Sequence, residues 1–480
     1  MRGGSLQVII VAASLLAVGG CASVDLDPEP AFSEVRAEIA ERSGHLMHWR
    51  TGAEEDRAVA ARLNDMLDEE LTAEEAVQIA LLSNRRLQAV YEQLGIAQAD
   101  LVQAGLLRNP VFDASLRFVE GPGSDYIFEM GVVQDFLDVL QVPLRKRLAL
   151  AELRTVQEEV TAQVLETVMD VQTAFYKLQA AQQGLDFFEQ TLLAADASYD
   201  AAMRLREAGN ITDLSLANER ALYEQAKLGL ATAETAVLEA REHLNSLLGL
   251  WGGQANWRVA EALPVLPSEE PALADLESRV IAENLNLAMI RRRMQMVAAR
   301  TKIDMSELMF PELAAGAEAE REPDGTWSVG PLAAIGVPIF DIGAARKARG
   351  AARLRQLWDE YTAVAIDLRA AARVARYRLL NARRQARYYQ RVMVPLAEQI
   401  TAETQLQFNA MQLGVFQLLQ AKQSEIEIRQ QAIGALRDYW IARAEMDFLL
   451  RGGTVEQSAV SADTAGAMGP GMGAGEEGGH

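Results

Sequence analysis

The 480-residue sequence contains one cysteine, Cys21, and four histidines. A lone cysteine cannot form an intrachain disulfide. His45 and His48 are spaced i, i+3, but two ligands without a cysteine or a third histidine do not make a zinc site. There is no nucleophile elbow and no phosphate-binding glycine loop. The reading is therefore a chain that is not an enzyme, with no catalytic residue, no metal ligand and no cofactor assigned. Aromatic residues are scarce at 6% while alanine is abundant, which suits close helix–helix packing better than a bulky globular core. Excess positive charge is missing too. A net charge of −21 argues against nucleic acid as a partner, because that affinity comes mainly from neutralising phosphates.

The most informative absence is proline. Average usage of about 5% predicts roughly six prolines between Leu144 and Leu263, and the stretch has none. From Leu144 to Glu207 the only glycine is Gly184. Apolar residues recur at steps of three and four through Val164, Val168, Val171, Phe175 and Leu178, then Leu185, Phe188, Leu192 and Tyr199. That spacing buries one stripe of a helix. At 1.5 Å per residue it spans roughly 95 Å, a length that a soluble enzyme rarely needs. Ala208-Gly209-Asn210 breaks it, and a second helix follows.

The N-terminus reads as an export signal. Arg2 precedes the apolar run Val8–Val18, too short for a stable membrane span. The run ends in Val18-Gly19-Gly20-Cys21. These small residues resemble a bacterial lipoprotein signal over residues 1–20, with Cys21 lipidated. Residues 21–70 form an acidic arm and helices. Thr72 with Glu75 makes a capping box, and the helix it opens is expected to run through Asn84 to about Leu107.

Between the helices the period changes from 3.6 to two. Phe112, Leu116 and Phe118 alternate with Asp113, Ser115 and Arg117. After the turn Gly121–Ser124, the residues Tyr126, Phe128 and Met130 share a face opposite Glu129 and Gly131. This predicts a β-hairpin over residues 111–135 whose strands match the length of a tilted membrane-spanning strand. Pro143 then opens the long helix of residues 144–208, a partner helix covers 211–249, and the first unit spans residues 71–255. A proline-spaced linker occupies residues 256–270.

The plan then repeats. Glu283-Asn284-Leu285-Asn286-Leu287 parallels Ser83-Asn84-Arg85-Arg86-Leu87 at an offset of 200 (84 to 284). A second hairpin is expected over residues 311–339, with Trp327 and Val329 on its return strand and Pro323-Asp324-Gly325 as its turn. A long helix over 344–411 and a last helix over 415–450 complete the second unit, residues 271–450. Residues 451–480, which include Met468, Met472 and His480, are glycine-rich and expected to be disordered. Arg369, Arg373, Arg376, Arg378, Arg383, Arg384, Arg387 and Arg391 form a basic stretch, read as a solvated face paired with neighbouring carboxylates.

Two hairpins supply four strands, which cannot close a barrel, and an open sheet edge cannot survive in lipid. If the strands span a membrane, several chains must pool them, and three would give twelve. The doubled strand pair and helix pair, the breaks at Gly209 and near Met411, Phe340-Asp341 before the second long helix, and the lipoprotein signal together resemble the TolC-type outer-membrane efflux proteins. The likeness is to their lipoprotein branch and covers about Leu71 to Leu450. It implies a mainly α fold with a small membrane β-barrel: a homotrimer whose twelve-stranded barrel sits in outer-membrane lipid of a Gram-negative bacterium and continues into a helical periplasmic tunnel. It also implies a passive exit duct docked to a periplasmic adaptor and, through it, to an inner-membrane pump.

The resemblance places adaptor-docking tips at Arg206, Gly209, Asn210, Ile211 and Thr212, and at Met411, Gly414 and Val415. Met411 stands where the family usually has glycine. Gln420 stands where many members carry a gate aspartate, leaving Asp213, Glu219 and Glu403 as candidate gate carboxylates. The barrel's outer face is expected to hold Phe112, Leu116, Phe118, Tyr126, Phe128, Met130, Trp327 and Val329. The alternative is a lipid-anchored periplasmic coiled-coil adaptor or structural protein without a barrel. Glu312 and Glu318 separate the two readings, since carboxylates on the lipid side would defeat a barrel.

Overall fold

A computed structural model describes residues 26–118, 126–260, 262–269, 273–309, 313–337 and 339–455. The signal, Cys21, the first hairpin turn, Phe310–Glu312 and the tail from 456 lie outside the described residues. In chain order the elements are α1 (Glu29–Ser43), α2 (Glu55–Asp68), β1 (Glu70–Leu71), α3 (Ala73–Ser83), α4 (Arg85–Ala104), β2 (Val111–Phe118) and β3 (Tyr126–Asp135). Then come α5 (Leu137–Glu207), α6 (Asp213–Leu248), β4 (Arg258–Val259), α7 (Leu276–Glu283), α8 (Leu285–Met309), β5 (Leu313–Arg321) and β6 (Trp327–Ile335). The chain ends with α9 (Ala344–Tyr388), a π turn (Tyr389–Met393), α10 (Val394–Asn409) and α11 (Val415–Leu450).

The chain divides into two compact units. The first takes residues up to Glu41, Arg86–Thr161 and Ala288–Tyr361. Its sheet is antiparallel with strand order β2-β3-β5-β6, so the two hairpins join through β3 and β5, and β2 and β6 are its edges, unpaired on their outer sides among the described residues. Its helical core holds Phe32 edge-on to Tyr91, with Ala31, Ala97 and Leu153 packed together. Glu158 is paired with Arg292 at 2.5 Å. Burial pushes its carboxyl up, and the Arg292 hydrogen bond opposes that shift.

The second unit comprises Arg42–Arg85, Ala162–Leu287 and Thr362 onward. α11 packs against α10 and the π turn, and also against α5 and α6. Tyr176 of α5 stacks on Trp440 of α11 with centroids 5.2 Å apart, and burial pushes its hydroxyl up to about 12. Trp257, 1% exposed, donates its indole N–H to Asn245 at 2.8 Å. β1 pairs in parallel with β4 beside it.

Three boundaries differ from those read in the sequence. The long helix begins at Leu137, six residues before Pro143, because Asp135 accepts the Leu137 N–H at 2.9 Å and starts the helix directly at the end of β3. Pro143 is then inside the helix, where it costs one main-chain hydrogen bond. The helix expected to run through Asn84 is broken there. Asn84 is extended (ψ 117°) and donates its amide to Leu247 O at 2.7 Å, satisfying a carbonyl at the end of α6. The second long helix is interrupted by the π turn at Tyr389–Met393, just before Pro395. A π turn widens the ring of main-chain bonds and so accommodates the proline's missing N–H and its clash with the preceding turn.

The Asn84 break is duplicated. Asn284, extended at ψ 122°, donates to Gly453 O and Thr454 Oγ1, each at 3.1 Å, past the end of α11, and accepts the Leu287 N–H at 2.9 Å. Gly249 follows α6 in the left-handed region (φ 72°), where a side-chain Cβ would lie 2.9 Å from Ser83 O. The sequence repeat around positions 84 and 284 thus marks the two places where a helix break receives the C-terminus of a long hairpin.

Candidate functional site

Two regions carry the residues singled out from the sequence. The first is the sheet. Its register places Phe112, Leu116 and Phe118 opposite Val132, Phe128 and Tyr126, and Met130 opposite Ala114. It continues from Met130 to Ala319 and on to Val329, while Arg321 stands opposite Trp327. All eight expected outer-face residues therefore share one face. The centre of that face is the row Ala114, Met130, Ala319 and Val329. Phe118, Tyr126, Phe128 and Trp327 gather toward the turn end, where Phe128 meets Trp327 edge-on at 6.3 Å. Arg321 is the one charged side chain in these rows, and it lies over the Tyr126 ring at 4.6 Å.

The opposite face carries Asp113, Arg117, Glu129, Glu318 and Glu320. Arg117 and Glu129 form an ion pair there, and Ser115 donates to Glu129 at 2.9 Å. Glu318 is thus on the polar face with the other carboxylates. A sheet apolar on one side, polar on the other, and open at both edges suits lipid only when its edges are paired.

The second region is the pair of helix-hairpin ends. At the first, Gly209 is left-handed (φ 76°), its N–H donates to Arg206 O at 2.9 Å, and the Asn210 N–H donates to Leu205 O at 2.8 Å. These two bonds form a Schellman motif, which satisfies the last carbonyls of α5. Thr212 caps α6 by accepting the Ser215 N–H at 3.1 Å. Ile211 lies in the short link between them. Arg206 and Asp213 bridge the turn at 2.6 Å, and that hydrogen bond holds the Asp213 carboxyl below the usual carboxylate range.

The second end repeats this geometry at an offset of 202 (209 to 411, 212 to 414). Met411 N–H donates to Phe408 O and Gln412 N–H to Gln407 O, each at 2.9 Å, and Met411 itself is left-handed (φ 57°) and 95% exposed. Gly414 does not replace the missing left-handed glycine. Its φ of −82° and ψ of 162° are those of an N-cap, and it offers no capping side chain. Phe408 and Val415 stand where the first turn has Arg206 and Asp213; the Val415 side chain lies outside the described residues.

Each turn therefore uses its glycine at a different position. A left-handed non-glycine residue costs roughly 1–2 kcal/mol. Met411→Gly is expected to stabilise the α10–α11 hairpin by about 1 kcal/mol, seen as slower amide hydrogen exchange over residues 404–420. Gly209→Met should accelerate exchange at the first turn. Equal exchange in parent and variants would remove the strain assigned to Met411.

The four gate candidates are not drawn together. Asp213 is held by Arg206. Glu219 is 6% exposed and accepts from Ser198 at 2.8 Å, so it is bound into α5–α6 packing and not free to line a lumen. Glu403 and Gln420 are exposed on α10 and α11, with no hydrogen bond linking any two of the four among the described residues. His45 and His48 engage separate carboxylates, Glu74 at 3.0 Å and Asp56 at 2.6 Å. The Arg206–Asp213 bridge escaped sequence reading, although its i, i+7 spacing across a glycine turn is a readable signal.

By fold, the chain is a duplicated unit of β-hairpin and very long helices whose four strands form one antiparallel sheet. Residues 76–250 match the outer membrane efflux protein family. The cobalt-zinc-cadmium resistance protein CzcC of Cupriavidus metallidurans is 24% identical over 392 residues, 79% of this chain and 90% of that protein. A solved structure of CusC has a TM-score of 0.66 at 17% identity, covering 80% of this chain and 93% of its own. The outer membrane protein VceC from Vibrio cholerae has a TM-score of 0.66 at 16% identity, with 82% and 97% covered. The likeness to that family rests on the match over residues 76–250, and the chain covers most of the length of each of these relatives.

Proposed function

We propose that the chain is the outer-membrane exit channel of a tripartite efflux or secretion system. Three copies pool four strands each into a twelve-stranded barrel, and the long helices continue as a periplasmic conduit. The observation that carries this reading is the sheet: one apolar, aromatic-rimmed face, one polar face and two unpaired edges. In strand order β2-β3-β5-β6 the directions alternate, so β6 of one copy can pair antiparallel with β2 of the next and close the ring.

The channel is a passive conduit; an inner-membrane pump supplies energy and most substrate selection. The turns at Gly209 and Met411 are the adaptor-docking ends, where left-handed backbone leaves a tight apex. Cys21 is the lipidation site that tethers the mature N-terminus to the outer membrane. The test is to separate inner and outer membranes of a Gram-negative host, extract in mild detergent and measure the particle mass corrected for bound detergent. A trimer from the outer fraction is the expected result. A monomer released without detergent would sink the channel and return the chain to the coiled-coil adaptor class. Asn210 is exposed at the apex and its side chain makes no hydrogen bond among the described residues, so Asn210→Arg should impair efflux while leaving the trimer intact.

A further inference from the structure

The arginine stretch on α9 is solvated as its composition predicts but only partly paired with carboxylates, Arg378 lying near Glu445. Arg373 pairs with Glu277 at 3.0 Å, and Arg383 donates to Pro267 O and Ser268 O at 2.9 and 2.8 Å. Arg369, Arg376, Arg384, Arg387 and Arg391 are exposed and make no ion pair among the described residues. At about 100° per residue, the arginines from 369 to 387 other than Arg378 fall within roughly a 100° arc of one helix face. With Arg391 the stripe is about 33 Å long. It is bordered by Ile366, Tyr377 and Tyr388, which are 60%, 71% and 55% exposed. Arginine beside exposed aromatics is the composition of an interface.

The linker fixes which residues stand at the same height. Gln179 of α5 donates to Ala260 O and Ala262 O at 3.4 Å, Trp440 of α11 donates to Pro264 O at 2.9 Å, and Arg383 of α9 then takes Pro267 and Ser268. The linker thus crosses α5, α11 and α9 in succession. α9 and the α5–α6 pair are the two flanks, with α11 between them. On the α5–α6 flank, in the same band, Glu166, Asp170, Glu234, Glu239 and Glu242 are exposed. Asp170 sits near His243 of α6 and Lys177, which ties the levels of α5 and α6 together. Leu228 and Leu238, 71% and 60% exposed, lie among these glutamates.

We infer that the arginine face of α9 docks on the Glu166/Asp170/Glu234/Glu239/Glu242 face of a second copy of this chain, forming a charged seam between neighbouring subunits. The inference rests on the trimeric reading above and gives it a specific interface. A cyclic assembly uses a heterologous contact, so each copy must carry two different surfaces that complement one another. Rotation about an axis parallel to the helices preserves height. The matching charges must therefore lie at one level on opposite flanks, as they do here. Attraction between the two faces also sets the order of the flanks, because like faces repel.

The test pairs cysteines across the seam in the full-length protein: Arg376→Cys with Glu242→Cys, and Arg384→Cys with Glu234→Cys. Mild oxidation of outer membranes should give covalently linked two- and three-chain species on non-reducing gels for each double variant and none for the single variants. A second measurement reverses charge. Arg384→Glu/Arg387→Glu and Glu239→Arg/Glu242→Arg should each lower the temperature at which the detergent-solubilised trimer dissociates, and the combined swap should restore it. Absence of linked species in a particle whose mass is that of a trimer overturns the seam and leaves the channel standing. A monomeric parent particle overturns the channel reading and the seam with it. Reversals that change ion selectivity but not linking or dissociation would assign the arginines to anionic cargo in the lumen instead.

Discussion

Met130→Arg is expected to abolish recovery of the protein as an outer-membrane trimer, and Ser115→Lys to be tolerated. Met130 occupies the middle of the row Ala114, Met130, Ala319 and Val329. On a lipid-facing surface that position is near the bilayer midplane, where an arginine costs about 2–4 kcal/mol per substitution. A trimer repeats the cost in each of three copies. The side chain has little route to relief, because the rows toward the turn are filled by Phe128, Trp327, Tyr126 and Phe118. Ser115 lies one residue from that face and points to the side that holds Arg117 and Glu129. A lysine there joins an existing carboxylate and sees water or polar side chains. The check is the amount of detergent-extracted trimer in outer membranes from cells making equal total protein. Normal assembly of Met130→Arg with failure of Ser115→Lys would invert the sheet and place the aromatic face inside.

That face was legible in the sequence because period two survives local noise. Phe118 and Tyr126 flank the turn in phase, and every second residue on each side then lands on the same surface. The second hairpin was weaker in pattern, since alanines give little contrast. It is fixed by β3, whose ladder carries Ala315, Ala317 and Ala319 into register with Gln134, Val132 and Met130. Turn glycine and asparagine gave the first tip directly. The second tip kept the same main-chain bonds with Met411 in the left-handed position, so geometry held where composition departed. The helix breaks were not legible. No proline or glycine marks Asn84, and asparagine, though a favoured extended N-cap, sits here within continuous helical spacing and does not by itself announce a break. The break exists because a distant helix end presents carbonyls to its amide. The π turn was hidden for a related reason: Pro395 sits within an unbroken helical apolar spacing, and the adjustment that tolerates it lies in the preceding turn. Charge pairing on α9 is only partly legible, at Arg373 with Glu277, because spacing along one helix says nothing about which neighbours lie across from it.

The same dependence on distant partners makes Asn284 the second most sensitive position. Asn284→Ala is expected to destabilise its unit by about 2–3 kcal/mol, since it removes two functions with one cut. The Oδ1 that accepts Leu287 N–H caps the start of α8, and loss of a cap costs about 1 kcal/mol. The amide that reaches Gly453 O and Thr454 closes the end of α11, and a buried acceptor left without its donor costs about 1–3 kcal/mol. Asn284 is 1% exposed, so water cannot easily take over either bond. Asn284→Asp separates the two functions. It keeps an acceptor for Leu287 but presents a carboxylate to the carbonyls of Gly452 and Gly453, so it should be at least as damaging as alanine despite its capping ability. Asn84→Ala should be milder: Ser83 also bonds Leu248 O at 2.5 Å, which leaves part of that junction in place. Thermal unfolding followed by helical circular dichroism, with all variants in the same detergent, ranks the three. If Asn284→Asp instead matched the parent, the amide bonds to the end of α11 would contribute nothing. The duplicated break would then be a helix cap alone, without a role in holding the long hairpins to their junctions.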